Sequence, residues 1–252
     1  MRTTAILNQK GGVAKTVTAV NMAAILAADY NMEVLVVDGD AQANATEFFG
    51  GLQRGACTLA DLLRRHNDGQ TIQASNFDGV ALLGADDSLM DLDLSAVKSK
   101  EADVTSLARL VEQYKRRFDY VLIDCPPAFN AASAAALLAA DDVIIPIKMD
   151  SFALRGMANL MRQIKNMQAI NPSLRVAGLL PTMVYKSDAI TQAMDALQSS
   201  GLQVFPAIRR SNKTDDSTFA QAPLIQSSPK SAACIDYRRF VRTYLKGGAR
   251  RG

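Results

Sequence analysis

The chain has 252 residues, of which 48% are hydrophobic, 21% charged and 6% aromatic, which excludes a disordered chain and provides a core for a large α/β domain. No apolar run reaches the roughly 18 to 20 residues of a membrane span, and the N-terminus lacks the apolar core of a signal peptide, so we expect a soluble, intracellular protein. The three separated cysteines suggest neither a disulfide framework nor a zinc site, and the net charge is only +3.

Apolar β-type runs alternate with helical stretches along the whole chain, without an internal repeat or a low-complexity linker. The predicted strands are residues 3–8, 33–38, 79–83, 120–124, 142–147, 174–180 and 202–205, and the predicted helices lie near residues 16–29, 103–117, 131–140, 152–169, 187–199 and 231–246. Several strands are continuous apolar runs, as expected for strands buried on both faces. We therefore predict an α/β fold with one domain over residues 1–252, in which helices flank both faces of a mostly parallel, twisted sheet.

A glycine-containing loop follows the first predicted strand and precedes a helix. It reads Gln9-Lys10-Gly11-Gly12-Val13-Ala14-Lys15-Thr16, which fails the plain phosphate-loop pattern G-x-x-x-x-G-K-[ST] at Gln9 and Ala14. Two glycines still let the backbone N–H groups face an anion at a helix N-terminus, where Lys15 can pair with the β- and γ-phosphates and Thr16 can ligate Mg²⁺. The alternative is an ordinary Gly-Gly turn with two solvated lysines.

Three aspartates lie at, or just after, the ends of two other predicted strands. Asp38 and Asp40 alternate on one side of an extended segment, so a single water or metal could contact both. Asp124 follows four apolar residues and precedes two prolines, which is the pattern of a Walker B strand that delivers one carboxylate to a metal's water shell. The alternative for the segment from Asp40 to Thr46 is a polar loop with a helix cap.

The segment from Lys10 to Thr16 resembles the deviant Walker A motif, K-G-G-x-G-K-[ST], of the ParA/MinD family of ATPases, and the second strand with its loop is similar to the family's D-x-D-P-Q-x-N-A-T segment. Residues 146–156 are similar to the family segment that shapes the dimer interface. The resemblance implies a P-loop NTPase fold that binds ATP and Mg²⁺. Ala14 stands where glycine is usual; if this position needs a positive φ, alanine costs roughly 1 kcal/mol and weakens nucleotide binding without abolishing it.

The resemblance also implies roles for individual residues. The catalytic set is Lys10, which reaches the phosphates held by the other subunit of an ATP-sandwiched dimer, Lys15, and Asp40, which orients the attacking water. The ATP-binding set is Lys10, Gly11, Gly12, Val13, Ala14, Lys15, Thr16, Val17, Thr182 and Pro206, the last two contacting the base. The metal set is Thr16, Asp38 and Asp124.

Positive charge is concentrated at the C-terminal end. Residues 205–252 contain ten basic and three acidic residues, a local net charge of +7, against −4 for residues 1–204. This asymmetry indicates a polyanionic partner, and ParA proteins carry nonspecific DNA contacts in corresponding stretches. The candidate DNA-binding residues are Arg209, Arg210, Lys230, Arg238 and Arg239. The alternatives are ordinary solvated faces, or a membrane-binding helix with Phe240, Val241, Tyr244 and Leu245 on its apolar side.

The resemblance therefore predicts a Soj-like ParA partition ATPase. It would form a homodimer with ATP and Mg²⁺, bind DNA nonspecifically on the nucleoid in the cytoplasm, and be released when a ParB-type partner stimulates slow hydrolysis. We expect no room before Thr3 for the helix-turn-helix domain of some plasmid relatives. Three alternatives stay open: a MinD-like membrane-positioning ATPase, a metabolic P-loop enzyme such as a synthetase, and a protein that uses ATP as a structural switch and scarcely hydrolyses it.

Overall fold

The computed structural model describes residues 1–66, 71–150 and 156–249, and within these ranges seven strands form one sheet in the order β3-β4-β2-β5-β1-β6-β7. The strands are β1 (Arg2–Ile6), β2 (Val34–Asp38), β3 (Gln73–Ala74), β4 (Val80–Leu83), β5 (Tyr120–Asp124), β6 (Asp142–Lys148) and β7 (Arg175–Thr182). Every strand pair in the sheet is parallel except the pair of the short edge strand β3 with β4. The predicted fold class is confirmed.

Helices cover both faces of the sheet. Within the same described ranges they are α1 (Lys15–Tyr30), α2 (Asn44–Phe48), α3 (Leu59–Arg64), a 3-10 helix (Asp87–Asp91), α4 (Leu94–Lys98), α5 (Ser106–Gln113), α6 (Ala131–Ala139), α7 (Met157–Gln168), α8 (Asp188–Gln198), α9 (Asn212–Phe219), α10 (Leu224–Ser227) and α11 (Ala232–Ala249). None of these helices is long and apolar enough to cross a membrane.

Alternation along the strands divides the core into two parts. In β2, Leu35 packs on the side of α3, α5, α6 and α7, whereas Val34 and Val36 pack on the side of α1, α2, α10 and α11. All five β2 side chains are buried because both faces are covered, which explains why the sequence shows a continuous apolar run here.

The carboxyl ends of three neighbouring strands meet beside the loop that follows β1. Asp38 at the end of β2 is in register with Asp124 at the end of β5, and Asp124 is in register with Ile6 of β1. In open parallel sheets ligands bind at this edge. The pairing therefore brings the predicted carboxylates to the start of the predicted phosphate loop.

The predicted strand at residues 202–205 is wrong. The structure has only an isolated bridge between Leu179 and Val204, made by the bonds from the Leu179 amide to Gln203 (2.8 Å) and from the Phe205 amide to Leu179 (2.8 Å). The next bond of this parallel ladder would run from the amide of residue 181 to the Phe205 carbonyl, but residue 181 is a proline and has no N–H. β3 was not predicted, because two residues are too short for an alternating pattern.

The boundaries of two predicted helices also differ. The helix predicted near residues 103–117 extends only over α5, and its end at Gln113 precedes a turn in which the Tyr114 amide bonds to Leu110 (3.1 Å). The helix predicted near residues 152–169 corresponds to α7, which begins at Met157 after Gly156 in the left-handed region (φ +82°). The predicted start at residues 152–155 lies outside the described residues.

A cluster of charged and polar side chains around the buried Asp142 fastens α11 to the amino-terminal ends of β1, β6 and β7. Asp142, which is 1% exposed, accepts hydrogen bonds from Arg2 (2.5 Å), Arg175 (2.8 Å) and the Tyr244 hydroxyl (2.9 Å). The Tyr244 hydroxyl also contacts the Thr4 hydroxyl (2.7 Å). Burial raises the pKa of Asp142, but its hydrogen bonds outweigh burial and hold the pKa below the ordinary value.

Candidate nucleotide-binding site

The loop between β1 and α1 curls around the end of a large cavity. Gly12 and Ala14 both have φ +67°, in the left-handed region, and α1 begins immediately afterwards at Lys15. Residues 11–17 all line a cavity of about 800 Å³. The loop therefore has the geometry of an anion cradle at a helix N-terminus, as the sequence predicted. The positive φ of Ala14, on which the predicted cost of this alanine depends, is confirmed.

The two lysines of the loop are held differently. Lys15 is 8% exposed, lines the cavity and donates a long hydrogen bond from Nζ to the Lys10 carbonyl (3.3 Å). Lys10 directs its Nζ to both oxygens of Asp150 (2.7 and 2.6 Å) and is not among the described residues of the cavity wall. Lys15 is thus placed for a phosphate in its own cavity, whereas the Lys10 ammonium is bonded to Asp150, which is itself a residue of the cavity wall.

Asp38 holds the loop that follows β2. Its carboxylate accepts hydrogen bonds from the Thr46 amide (2.8 Å), the Thr46 hydroxyl (2.8 Å) and the Asp40 amide (3.1 Å). Burial raises the pKa of Asp38 to about 6, and the bonds from Thr46 and Asp40 oppose that shift. The structure therefore gives Asp38 the role of a clamp, and its predicted part in the metal shell stays a prediction.

Asp40 reaches the cavity wall because Asp38 and its own turn fix the loop. The amides of Gln42 and Ala43 bond to the Asp40 side chain (3.1 Å) and carbonyl (2.9 Å), respectively. Asp40 lines the cavity together with Asn44 and Pro127. This carboxylate can therefore approach a water at the phosphate end of the cavity.

Asp124 is the carboxylate at the end of β5, beside the phosphate loop. It is fully buried, and neither of its oxygens has a hydrogen-bond partner among the described residues. Burial and then the neighbouring Asp38 raise its pKa well above the ordinary value, while Thr16 and Lys15 act in the opposite direction. Buried polar atoms without protein partners are uncommon in folded proteins, and such atoms are suited to bind an ion or an ordered water. The donor set of Asp124 and the Thr16 hydroxyl fits Mg²⁺, which prefers carboxylate and hydroxyl oxygens.

The far wall of the cavity differs from the prediction. Thr182, predicted to contact the base, does line the cavity and donates a hydrogen bond to the Val13 carbonyl (3.1 Å), but Pro206 does not line it. The wall instead contains residues 208–211, three residues of α9 and Tyr237 of α11. Sequence reasoning missed α9 and Tyr237 because no motif marks them and they join the site only through the fold.

Comparison with known proteins identifies the family. The family of AAA domains matches residues 1–176. The chromosome partitioning protein ParA of Caulobacter vibrioides is 33% identical over 261 aligned residues, which cover 97% of this chain and 94% of the relative. The chain belongs to the ParA/MinD family of ATPases. The chromosome-partitioning ATPase Soj of Thermus thermophilus is 32% identical, with 97% of this chain and 96% of the relative covered. A structure of cobyrinic acid a,c-diamide synthase from Mycobacterium smegmatis with bound ATP analog and magnesium has a TM-score of 0.83 and 28% identity, and covers 98% of this chain and 94% of that one.

The ParA/MinD membership confirms the resemblance drawn from the loop and strand motifs. The chain is an ATPase of the partition and positioning type. The roles of the individual site residues stay predictions. Lys15, Thr16 and Asp40 line the cavity, and Asp124 lies beside it at the end of β5.

The basic residues of this ParA/MinD chain fall into two groups. Arg209 donates to Asp236 from Nε (2.7 Å) and Nη2 (2.9 Å), and Arg238 donates to Asp29 from Nε (2.7 Å), so two of the five predicted DNA contacts are already in ion pairs. Arg210 and Lys230 are exposed, as is Arg239.

A stripe of unpaired cations runs along α11. Arg239, Arg242 and Lys246 are exposed at spacings of three and four residues, which places them on one helical face. None of the three is in an ion pair with a described residue. We call these three residues the α11 stripe. Of its members only Arg239 was predicted, since the sequence does not show which arginines are paired.

Proposed function

We propose that this chain is a ParA-type partition ATPase that dimerises with ATP and Mg²⁺, binds DNA nonspecifically, and leaves the DNA when a ParB-type partner or cargo adaptor stimulates hydrolysis. This cycle would operate in the cytoplasm, on the nucleoid, to segregate a plasmid, a chromosome or another cargo. The proposal is supported by the coexistence, in one chain, of a cavity lined by the glycine-containing loop and of the α11 stripe, whose cations are in no ion pair with a described residue.

ATP binding rests on the loop. The backbone N–H groups of residues 11–16 and the N-terminus of α1 would hold the phosphates, and the buried ammonium of Lys15 would neutralise part of their charge. Mg²⁺, held by Thr16 and through water by Asp124, would offset the charge that develops on the phosphate oxygens. The buried Asp124 oxygens, which have no partner among the described residues, support this assignment.

Hydrolysis requires a positioned water. Asp40 lines the cavity, is held by its own turn and is not buried, so it can accept a hydrogen bond from a water and orient that water towards the γ-phosphate. Lys10 would leave Asp150 and reach the phosphates held by the partner subunit. Because ATP hydrolysis would then depend on dimer formation, it would be slow in the isolated chain, and a partner protein could stimulate it.

DNA binding rests on the α11 stripe. Lys and Arg side chains that neutralise backbone phosphates release counterions, which makes binding independent of sequence and sensitive to salt. Arg239, Arg242 and Lys246 are available because their charges are not consumed by carboxylates of the described chain. Arg209 and Arg238 would have to break ion pairs to contribute in the same way.

The apolar side of α11 argues against the MinD-like alternative. Phe240 and Val241 are 0% exposed and Tyr244 is 4% exposed, and all three lie in the part of the core between the sheet and the helices α1, α2, α10 and α11. A membrane-binding helix must present such side chains to lipid. Using them in this way would require α11 to leave the core and to break the cluster at Asp142.

The decisive experiment measures binding of the purified chain to an arbitrary duplex DNA with ATP, with ADP and without nucleotide, at two salt concentrations. We expect salt-sensitive binding with ATP only. Arg239→Glu combined with Arg242→Glu should weaken it at least about tenfold and lower its salt dependence.

The matched control for this experiment is Arg162→Glu combined with Lys165→Glu, which makes the same change at the same spacing on α7, on the other side of the sheet. DNA affinity should be retained in this variant. If the unsubstituted chain binds DNA under no condition, the partition function is wrong, and ATP-dependent liposome binding would then favour the MinD-like alternative.

A further inference from the structure

Helix α11 reaches both the nucleotide cavity and the outer surface. Tyr237 is 1% exposed and lines the cavity, whereas Arg239, two residues later, is exposed in the α11 stripe. Two residues correspond to about 200° around a helix, so the two side chains leave it on opposite sides. Helix α11 therefore contributes both to the cavity wall and to the exposed α11 stripe.

Tyr237 contacts the helix that follows the phosphate loop. Its hydroxyl lies 3.3 Å from the Thr18 hydroxyl, and Thr18 is 0% exposed. The Thr18 amide in turn bonds to the carbonyl of Ala14 in the loop (3.0 Å). Burial raises the pKa of Tyr237 to about 12, so its hydroxyl keeps its proton at neutral pH. One buried hydroxyl pair therefore joins α11 to the first turn of the phosphate-binding helix.

The residue before Tyr237 fastens α11 to the far wall of the cavity. Asp236, which is 2% exposed, accepts bonds from the backbone amide of Arg209 (3.1 Å) as well as from its guanidinium. Arg209 and its neighbour Arg210 line the cavity. Consecutive residues of α11 are thus bonded to opposite sides of the nucleotide cavity.

We propose that Tyr237 is a positioning residue, through which nucleotide binding at the N-terminus of α1 changes the position of the α11 stripe. The bonds between Asp236 and Arg209 would hold the neighbouring turn of α11 in place while this happens. The inference rests on the proposed function and supplies its regulation. Phe240 and Val241 pack α11 tightly in the core, so a displacement of its cavity end is carried along the rigid helix to Arg239, Arg242 and Lys246.

The test removes only the hydroxyl, with Tyr237→Phe, and measures the ratio of DNA affinities with and without ATP. With ATP at a saturating concentration for each variant, so that a change in ATP affinity does not enter the ratio, the loss of one neutral hydrogen bond should lower this ratio about two- to tenfold. Thr18→Val should lower the ratio by a similar factor, and the double variant should lower it no further than either single variant. Thr18→Ser keeps the hydroxyl and should therefore keep the ratio of the unsubstituted chain. A merely structural role for Tyr237 would lower thermal stability without changing the ratio.

A fluorescence measurement makes the result independent of DNA. The chain contains no tryptophan, so Ile235→Trp, on the exposed side of α11, gives a single reporter. Its emission should change on ATP addition, and Tyr237→Phe should reduce that change at an equal oligomeric state measured by light scattering. If Tyr237→Phe leaves both the affinity ratio and the emission change intact, the transmission is wrong and the proposed function stands. If the unsubstituted chain shows no ATP-dependent DNA binding, the proposed function fails and the transmission fails with it.

Discussion

Ala14→Gly tests the backbone of the phosphate loop directly. Ala14 adopts φ +67° and ψ +36°, and it precedes α1 without a side-chain cap. For a residue with a Cβ this left-handed conformation costs roughly 1–2 kcal/mol. Glycine removes that cost but loses about 0.4–1 kcal/mol through the greater freedom of its unfolded chain. The expected net result is a protein more stable by about 0.5–1 kcal/mol.

Thermal unfolding followed by circular dichroism measures this difference. For a chain of this size 1 kcal/mol corresponds to about 2–4 °C, so Tm should rise by roughly 1–4 °C. ATP affinity should change by less than about threefold, because the cost of the left-handed conformation at Ala14 falls on folding. That expectation replaces the sequence-based one, in which the alanine weakens nucleotide binding.

The control is Ala196→Gly, the same substitution at an exposed position inside α8, where φ is not positive. There glycine should destabilise the protein by about 0.5–1 kcal/mol, the opposite sign. The reasoning is refuted if both substitutions lower Tm equally, since position 14 would then carry no left-handed strain.

Three further substitutions probe the site and its scaffold. Lys15→Ala should reduce ATP affinity by about 100-fold in a fluorescent-nucleotide titration, because a buried cation is lost, and unchanged affinity would remove Lys15 from the site. Asp40→Ala should lower steady-state ATP turnover by at least about 100-fold while ATP still promotes dimerisation, and normal turnover would assign the water to another residue. Asp142→Asn should lower the free energy of unfolding by about 2–3 kcal/mol at pH 7. Because hydrogen bonds hold the folded pKa of Asp142 below its unfolded value, its stabilisation is complete above about pH 4 and is lost as the pH falls through the folded pKa. Denaturant titrations should therefore show a weaker acid dependence in Asp142→Asn than in the unsubstituted chain, and equal dependence would contradict the cluster.

Sequence reasoning succeeded where the chemistry is local. The phosphate loop occupies eight consecutive residues between a strand and a helix, and Asp124 ends an apolar run, so spacing alone brings each to the carboxyl edge of the sheet. The alternation of strands and helices was enough for the fold class. The wrong strand at residues 202–205 has the composition of a strand, but its pairing with β7 ends at Pro181, which has no N–H to donate to the Phe205 carbonyl.

Sequence reasoning failed where the residues that contact each other are distant in the chain. Arg238 pairs with Asp29, 209 positions away, and Arg209 pairs with Asp236, 27 positions away. No local pattern separates these arginines from Arg239, so a count of basic residues overestimates the charge available to DNA. The same reason hides Tyr237, whose place in the cavity wall depends on how α11 packs against α1.

The two buried aspartates show why residue type alone does not assign a role. Asp38 and Asp124 are in register on adjacent strands and are equally buried, yet Asp38 receives three hydrogen bonds and Asp124 receives none from the described residues. A carboxylate whose lone pairs are occupied by the protein fixes a loop, whereas an ionised carboxylate without partners in low dielectric is costly until a proton or a cation compensates its charge. The partners of each oxygen therefore assign the clamp to Asp38 and favour Asp124 as the residue that faces the metal.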